Sequence, residues 1–551
     1  MTKTNSEGVL AVIPGLTQDP ATGPVQPPHW IAGRARNDTG RGRARAVAVA
    51  VTLALAGCAV GPRYDAPPTM DTPVAFKEGG GAWVQAAPAD STERGPWWQA
   101  FDDPVLNDLA AKVDVSNQNV AVAVAAYAQA RALVAQQRAG LFPTVTLNGT
   151  GTRTGTRGSG GTSITTGTTG TTGTGGTTGT GTTVTTTGGG SDNPRNNFQA
   201  SIGASWEPDV WGRLSAGVTA ARASQQASFA DLASARLSAQ GELAVNYFNL
   251  RSLDVQIDIA KRTVANFERA LTITNNRYNA GVVARTDLLQ AQSQLASGRA
   301  DLLDLQRQRA QLEHAIAVLV GQVPANFSLQ AQPTWALNVP TVPPEVPSTL
   351  LQRRPDIAAA ERRVAQANEQ IGIARAAYFP SLRLSASLGA GASAVGDLFS
   401  ASSLVWALGA SVAQTVFNAG LTGAQVEAAR AAFDEAAARY RQTVLTAFQN
   451  VEDQLAASRI LGEQLALRQE ASQAADLVEQ QVLNRYQAGQ VVFTEVITAQ
   501  NTAQQARRAL VQLQASRQVA AVSLIQALGG GWQGLGAEGS AAQAAPVKAG
   551  S

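Results

Sequence analysis

Few residues in this sequence could do chemistry. Cys58 is the only cysteine, and His29 and His314 are the only histidines. The chain therefore cannot form an internal disulfide or a Cys/His metal cluster. His314 lies in a run, 312–316, whose pattern predicts a helix, and a lone helical histidine is usually structural rather than a catalytic base. We predict that the protein is not an enzyme and has no catalytic residue, no metal site and no cofactor.

Cys58 stands at the end of an export signal. Basic residues between positions 41 and 45 precede an apolar run, 46–56, which is followed by Gly57 and Cys58. This order is that of a secretory signal, and the run is too short to cross a bilayer as a helix, which needs about 20 residues. The sequence LAGC at 55–58 resembles the lipobox of bacterial lipoproteins, which implies removal of 1–57 and acylation of Cys58. A chance LAGC in an alanine-rich signal is the alternative; the position of the sole cysteine favours lipidation, and Ala59 rather than aspartate favours the outer membrane.

The net positive charge of the chain comes from this leader. Residues 1–57 contain six Lys and Arg and three Asp and Glu, which accounts for the whole net charge of +3. The remaining residues balance to zero. A basic surface for nucleic acid is therefore not expected.

An internal repeat organises the rest of the chain. The sequence RYNAG at 277–281 returns as RYQAG at 485–489, and the match continues beyond it without a gap at an offset of 208 residues. LFP at 141–143 pairs with YFP at 378–380 at a larger offset. The unequal offsets mean that the first copy contains extra residues. These form a Gly/Thr tract at about 149–195, which we expect to be a disordered loop.

Each copy predicts an alanine-rich helix, two strands and two long helices in that order. The first helices are predicted at about 104–140 and 355–377. No proline occurs between Pro208 and Pro324, and the pattern over 214–278 predicts a single helix of roughly 100 Å. Helices of this length favour coiled-coil-like packing.

The predicted strands alternate apolar and small polar residues. The clearest cases lie at 198–206, 382–388 and 404–412, with a weaker one at 144–148. Their length of about nine to eleven residues is that of tilted membrane strands, although a soluble half-buried sheet gives the same alternation. Four strands cannot close a barrel, and lipid offers no partner for an open edge. Strands that span a membrane would therefore require several copies of the chain.

Several motifs resemble one protein family. They are GPRY at 61–64, WWQAFDDPVL at 97–106, SWEPDVWGR at 205–213, LQRRPDI at 351–357 with Glu361, and AYFP at 377–380. Together they are similar to the outer membrane factors related to TolC, and most similar to the OprM-like, NodT-type lipoprotein branch that serves resistance-nodulation-division (RND) pumps. The resemblance covers essentially all of residues 58–530.

The resemblance implies a mainly α fold with a transmembrane β-barrel, built from two tandem α-β-β-α repeats per chain. A homotrimer would form a 12-stranded barrel in the outer membrane and a long periplasmic α-helical barrel. It would act as a passive exit duct for drugs or other small molecules, joined by a periplasmic adaptor to an inner-membrane RND transporter. The segments are then a removed leader (1–57), an equatorial or anchor segment (58–103), repeat 1 (104–320), an equatorial linker (321–350), repeat 2 (351–528) and a flexible tail (529–551).

The resemblance places both RYxAG elements at the periplasmic tip, where they would contact the adaptor. The residues assigned to this tip are Tyr278, Gly281, Thr286 and Asp287 in repeat 1 and Tyr486, Gly489, Thr494 and Glu495 in repeat 2. The glycines suit a helix end with positive φ, and the acids suit the first turn of the next helix. Simple helix capping is the alternative. Thr498 stands where many relatives carry aspartate, which puts a carboxylate ring there in doubt.

Two other classes of protein remain as alternatives from the sequence. A trimeric surface coiled-coil adhesin would also have long helices, but adhesins usually place their barrel once, at one end. A periplasmic enzyme on a helical scaffold would need catalytic residues that a single mature histidine does not supply.

Overall fold

A computed structural model describes residues 60–64, 76–78, 96–155, 165–166, 182–183, 194–335, 338–340, 354–398 and 400–531. Cys58 and the predicted leader lie outside the described residues. So do most of the Gly/Thr tract and most of the predicted C-terminal tail.

Within the described residues the chain forms seven α-helices. They are α1 (Pro104–Ser116), α2 (Gln118–Ala139), α3 (Arg213–Asn279), α4 (Arg285–Leu319), α5 (Pro355–Ala376), α6 (Leu421–Gln487) and α7 (Phe493–Ala527). A 3-10 turn at Trp97–Phe101 precedes α1. None of the helices in this described part of the chain is long and apolar enough to cross a membrane.

The long helices reproduce the sequence repeat. Both α3 and α6 have 67 residues, and both α4 and α7 have 35 residues. At 1.5 Å per residue, α3 and α6 are each about 100 Å long. The prediction of one uninterrupted helix over 214–278 is confirmed.

The prediction of one helix over 104–140 is wrong, because the chain breaks at Asn117. The backbone of Asn117 is extended, with φ −69° and ψ 125°, and its Oδ1 accepts from the N–H groups of Asn119 and Val120. Its Nδ2 donates to the carbonyl of Leu319 at 2.8 Å. One buried asparagine thus caps α2 and binds the end of α4, which outweighs the helix propensity of the alanines around it.

The strands form one antiparallel sheet. They are β1 (Thr144–Thr154), β2 (Arg195–Trp206), β3 (Ser381–Ala392) and β4 (Leu404–Ala413), hydrogen-bonded in that order. Two residues of the Gly/Thr tract, Thr165–Thr166, also pair with Thr182–Thr183.

The predicted alternation along the strands is confirmed by the register. Leu147 pairs with Ile202, Ile202 with Leu388, and Leu388 with Trp406, so an apolar row crosses all four strands. These side chains are exposed in the single chain, Leu147 to 78% and Trp406 to 69%. The opposite face is mostly small or polar, with Val405 as an exception. An exposed apolar face on strands of 10–12 residues is the pattern of a membrane barrel.

The hydrophobic core lies part of the way along the long helices. In repeat 1, Tyr247 and Phe248 of α3 pack with Leu106 of α1 and Ile316 of α4. A second cluster joins α5, α6 and α7. The sheet and the turns that end α3 and α6 lie at opposite ends of these helices, because each of the two helices follows a strand by only a few residues.

Buried ion pairs and hydrogen bonds hold the start of the inter-repeat linker against α3. Asp254 of α3, whose side chain has no exposed surface, accepts from Arg251 Nη1 at 3.0 Å and from Arg309 Nε at 2.6 Å. It also accepts from the backbone N–H of Gln332 at 3.0 Å. Arg251 in turn donates to the carbonyl of Gln330 at 2.8 Å. The linker is therefore bound to α3 through paired charges rather than through apolar contacts alone.

Candidate functional site

Two equivalent turns join the long helices at the end far from the sheet. Gly281, with φ 73°, donates its N–H to the carbonyl of Tyr278, and Val282 donates to that of Arg277, both at 2.9 Å. The second turn repeats both bonds around Gly489, which has φ 77°. This paired arrangement is the Schellman motif, in which a left-handed residue closes the helix. The expectation that both glycines adopt positive φ is confirmed.

An acidic side chain begins the helix after each turn. Asp287 lies in the first turn of α4 and Glu495 in the first turn of α7. The residues that precede these helices, Ala284 and Val492, supply no side-chain cap. The carboxylates therefore interact favourably with helix N-termini whose N–H groups are otherwise uncapped by side chains.

The two turns differ in the environment of their tyrosines. Tyr278 is 37% exposed, whereas Tyr486 is 2% exposed. The Tyr486 ring packs against Phe493 with centroids 5.6 Å apart, and its hydroxyl shares a hydrogen bond with that of Thr274 at 3.1 Å. The Arg277 guanidinium lies 4.6 Å from the centre of the same ring.

Arg277 therefore links the two turns of one chain. Its Nη2 donates to the carbonyl of Tyr486 at 3.0 Å and to that of Gln487 at 3.2 Å. The equivalent of Phe493 in repeat 1 is Arg285, so only the second turn has an aromatic residue to cover its tyrosine. Sequence reasoning missed Arg277, Thr274 and Phe493 as contacts of this site; the signal that could have found them was the break of the repeat at position 493.

The predicted tip residues are thus brought together at one end of the chain, with one difference among them. Exposed residues are Tyr278, Gly281, Thr286, Gly489, Thr494 and Glu495, and Asp287 is half-buried. The Tyr486 side chain is buried between the turns and is not available to a partner. The hydroxyl of Thr498 donates to the carbonyl of Thr494 at 2.9 Å, within its own helix. The role of these residues as an adaptor contact stays a prediction.

The described residues contain no group of three or more His, Cys, Asp or Glu that could hold a metal ion. His314 is exposed on α4. The tip consists of two glycine-closed turns, each followed by a helix with an acidic residue in its first turn, and such a surface can dock another protein or line an opening.

Comparison with known proteins places the chain in one family. The sequence profile of the family described as "Outer membrane efflux protein" matches residues 109–322 and 346–530. The pyoverdine export outer membrane protein OpmQ of Pseudomonas aeruginosa is 32% identical over 456 residues, which cover 82% of this chain and 90% of that protein. The cation efflux system protein CusC of Escherichia coli is 29% identical over 479 residues, covering 87% and 97%.

Solved structures of outer-membrane channels also match the chain. The outer-membrane channel OprN matches with a TM-score of 0.71 at 29% identity, over 86% of this chain and 100% of that chain. The open state of the MtrE outer membrane channel of Neisseria gonorrhoeae matches with a TM-score of 0.70 at 27% identity, over 86% and 98%.

These matches extend over both repeats. They give no support to the alternative of a surface adhesin. The predicted fold class is confirmed: a trimer in which four strands from each chain form a membrane barrel and the long helices form a periplasmic barrel. The predicted outer-membrane location is confirmed as well. The chain belongs to the outer membrane efflux protein family and is an outer-membrane efflux channel that extends into the periplasm.

Proposed function

We propose that the trimer is the passive exit duct of a tripartite RND-type pump. A periplasmic adaptor binds the tip turns and connects the duct to an inner-membrane RND transporter, which supplies the energy. The chain itself catalyses no reaction and needs no cofactor. The observation that carries this proposal is the pair of exposed, glycine-closed turns about 100 Å from the sheet, the distance that α3 and α6 span.

The glycines make these turns suited to close contact with a partner. A Cβ placed on Gly281 would have no heavy atom within 4 Å, and one on Gly489 would have only Arg277 Nη2 at 4.0 Å. Neither position is therefore kept small by packing within the chain. A partner that approaches the bare backbone would, in contrast, meet any side chain introduced there.

This difference gives a direct experiment. Gly281→Arg combined with Gly489→Arg is expected to abolish export and adaptor cross-linking while the trimer still forms. The positive φ costs roughly 1 kcal/mol per position, which a trimer of long helices tolerates. Drug susceptibility, native gel mobility and adaptor cross-linking are measured on the same variant.

Gly420 supplies the matched control. It has φ 86° and open space around its missing Cβ, but it precedes α6 at the end near the sheet. Gly420→Arg introduces the same strain and the same charge at the wrong end, and export should continue. If the tip variant exports and cross-links normally, the turns only cap helices and the adaptor must bind elsewhere.

We also propose that cargo is selected by the transporter and not by the duct. Relatives of similar identity are named for unlike cargoes: pyoverdine export, cation efflux and antibiotic efflux. Conductance of the purified trimer in a planar bilayer tests the duct itself. A protein without a conducting pore would fit the structural alternative instead.

Acylation of Cys58 is the remaining part of the proposal. Val60 donates its N–H to the carbonyl of Trp211 at 3.4 Å, and Trp211 lies between β2 and α3, at the end of α3 near the sheet. Val60, which follows Cys58 by two positions in the sequence, is therefore held at the end of α3 that lies near the membrane. Mass spectrometry of the mature amino terminus should find diacylglycerol on Cys58, and Cys58→Ser should lose it while remaining exported. An unmodified Cys58 in membranes of a competent host contradicts the proposal.

A further inference from the structure

Aromatic side chains mark the level at which the sheet meets the periplasm. Trp211, which follows β2, stacks on Phe379, which precedes β3, with centroids 4.8 Å apart. The indole N–H of Trp211 donates to the carbonyl of Pro380 at 2.7 Å. Trp206 ends β2 and donates to the carbonyl of Leu141 at 2.9 Å. Such aromatic girdles lie at the headgroup level of a membrane barrel, so residues beside them lie at the depth of the periplasmic headgroups.

A cleft of about 400 Å³ opens at this level between the end of α5 and the start of α6. Arg375 and Tyr378 line it on one side, and Glu427 and Arg430 line it on the other. Glu427 and Arg430 are three residues apart on α6 and so share one side of that helix. Gly423 lies next to the tyrosine, because a Cβ there would lie 3.4 Å from Tyr378 Oη.

The charges of this cleft have no partners among the described residues of the chain. The side chains of Arg375, Glu427 and Arg430 make no hydrogen bond or ion pair with any described residue. Elsewhere on the same helix, Arg439 pairs with Glu435. The cleft therefore presents two free guanidinium groups, which favour phosphate oxygens, beside one free carboxylate, which favours an ammonium group.

We propose that this cleft binds the headgroup of a zwitterionic glycerophospholipid from the periplasmic leaflet. The phosphodiester lies between Arg375 and Arg430, and the primary ammonium group binds Glu427. Basic pockets at headgroup depth bind phosphate-bearing lipids in other membrane proteins. Val60, two positions after Cys58 in the sequence, also lines the cleft. The proposal rests on the outer-membrane location of the channel and not on acylation of Cys58.

Native mass spectrometry of the detergent-purified trimer tests this site. The probes are phosphatidylethanolamine, phosphatidylcholine and phosphatidylglycerol with identical acyl chains. Phosphatidylethanolamine is expected to bind most tightly, because the quaternary ammonium of phosphatidylcholine cannot donate a hydrogen bond to Glu427 and phosphatidylglycerol has no cation. Arg375→Gln with Arg430→Gln should weaken its binding on the order of thirtyfold, at about fivefold per charge. Glu427→Gln should remove the preference over phosphatidylcholine.

Arg468→Gln is the matched control, because Arg468 is exposed on α6, far from the sheet, and has no side-chain partner among the described residues. It should bind lipid as the wild type does. Unchanged phosphatidylethanolamine binding by the double variant overturns the proposal, as does equal affinity for the chain-free headgroup glycerophosphoethanolamine, which would make the membrane irrelevant. The trimer mass and its bilayer conductance are measured on the same samples, so a failure of this site is distinguished from a failure of the channel.

Discussion

Asp254→Ala removes a fully buried carboxylate to which two arginines bind. Arg309 keeps a second partner, because its Nη1 lies 3.0 Å from Glu313 Oε2. Arg251 keeps a carbonyl acceptor and the face of the Tyr247 ring, 4.8 Å from its guanidinium, but no carboxylate, and its side chain is 1% exposed. The substitution thus leaves one buried cation without a counterion, and breaking such a pair costs about 3–5 kcal/mol. The lost acceptor of the Gln332 N–H adds about 1 kcal/mol.

Thermal denaturation of the purified trimer measures this loss. Tryptophan fluorescence is a suitable signal, because Trp335 of the linker stacks on Phe248 of α3 with centroids 5.8 Å apart. The melting midpoints are compared at one scan rate, because irreversible unfolding makes the apparent midpoint of a membrane trimer depend on how fast it is heated. Asp304→Ala is the control: Asp304 pairs with Arg307 at 2.7 Å on the surface of α4, where both groups are exposed, and its melting should match the wild type.

A double variant tests the stated cause. If the unpaired charge of Arg251 is the main penalty, Arg251→Met added to Asp254→Ala should recover part of the lost stability, because the orphaned cation is gone. If the lost hydrogen bonds were the only cause, the double variant should be less stable than the single variant. Equal melting of Asp254→Ala and Asp304→Ala would refute the reasoning altogether.

Three further changes have defined outcomes. Gly321→Ala should lower the melting temperature of the trimer, because Gly321 has φ 71° and a Cβ would lie 2.3 Å from the carbonyl oxygen of Ser116. Tyr486→Phe should lower the free energy of unfolding by only about 1 kcal/mol, because it loses the hydrogen bond to Thr274. It should also accelerate amide hydrogen exchange in the second tip turn. Burial raises the pKa of Glu369, so the folded state holds this proton more tightly than the unfolded state and stability falls as pH rises through the unfolded and then the folded pKa. Glu369→Gln should therefore melt higher than the wild type at pH above the folded pKa and equally at low pH.

The large elements could be predicted because their signals are long. The absence of proline over 209–323 and the offset of 208 residues together fix the extent of the two longest helices. Alternation along four separate strands predicted a sheet with one apolar face, and the register shows it. The break at Asn117 was missed because the alanine pattern outweighed its one local signal, an asparagine that can cap a helix. The other contact of the Asn117 side chain, with the end of α4, lies 202 positions away. Alanine propensity around Asn117 predicted a continuous helix, and a tertiary contact overrode it.

The tip shows the limit of reasoning from a repeat. Equal motifs predicted equal turns, and the backbone bonds around Gly281 and Gly489 are indeed the same. The side chains are not equivalent, because Phe493 covers Tyr486 where repeat 1 has the charged Arg285. Three chains therefore present six turns of two kinds, one with its tyrosine locked between the helices of its own protomer and one with its tyrosine exposed. A partner that meets this end finds an aromatic ring only on the turns of repeat 1, so the two repeats share one fold while offering different surfaces.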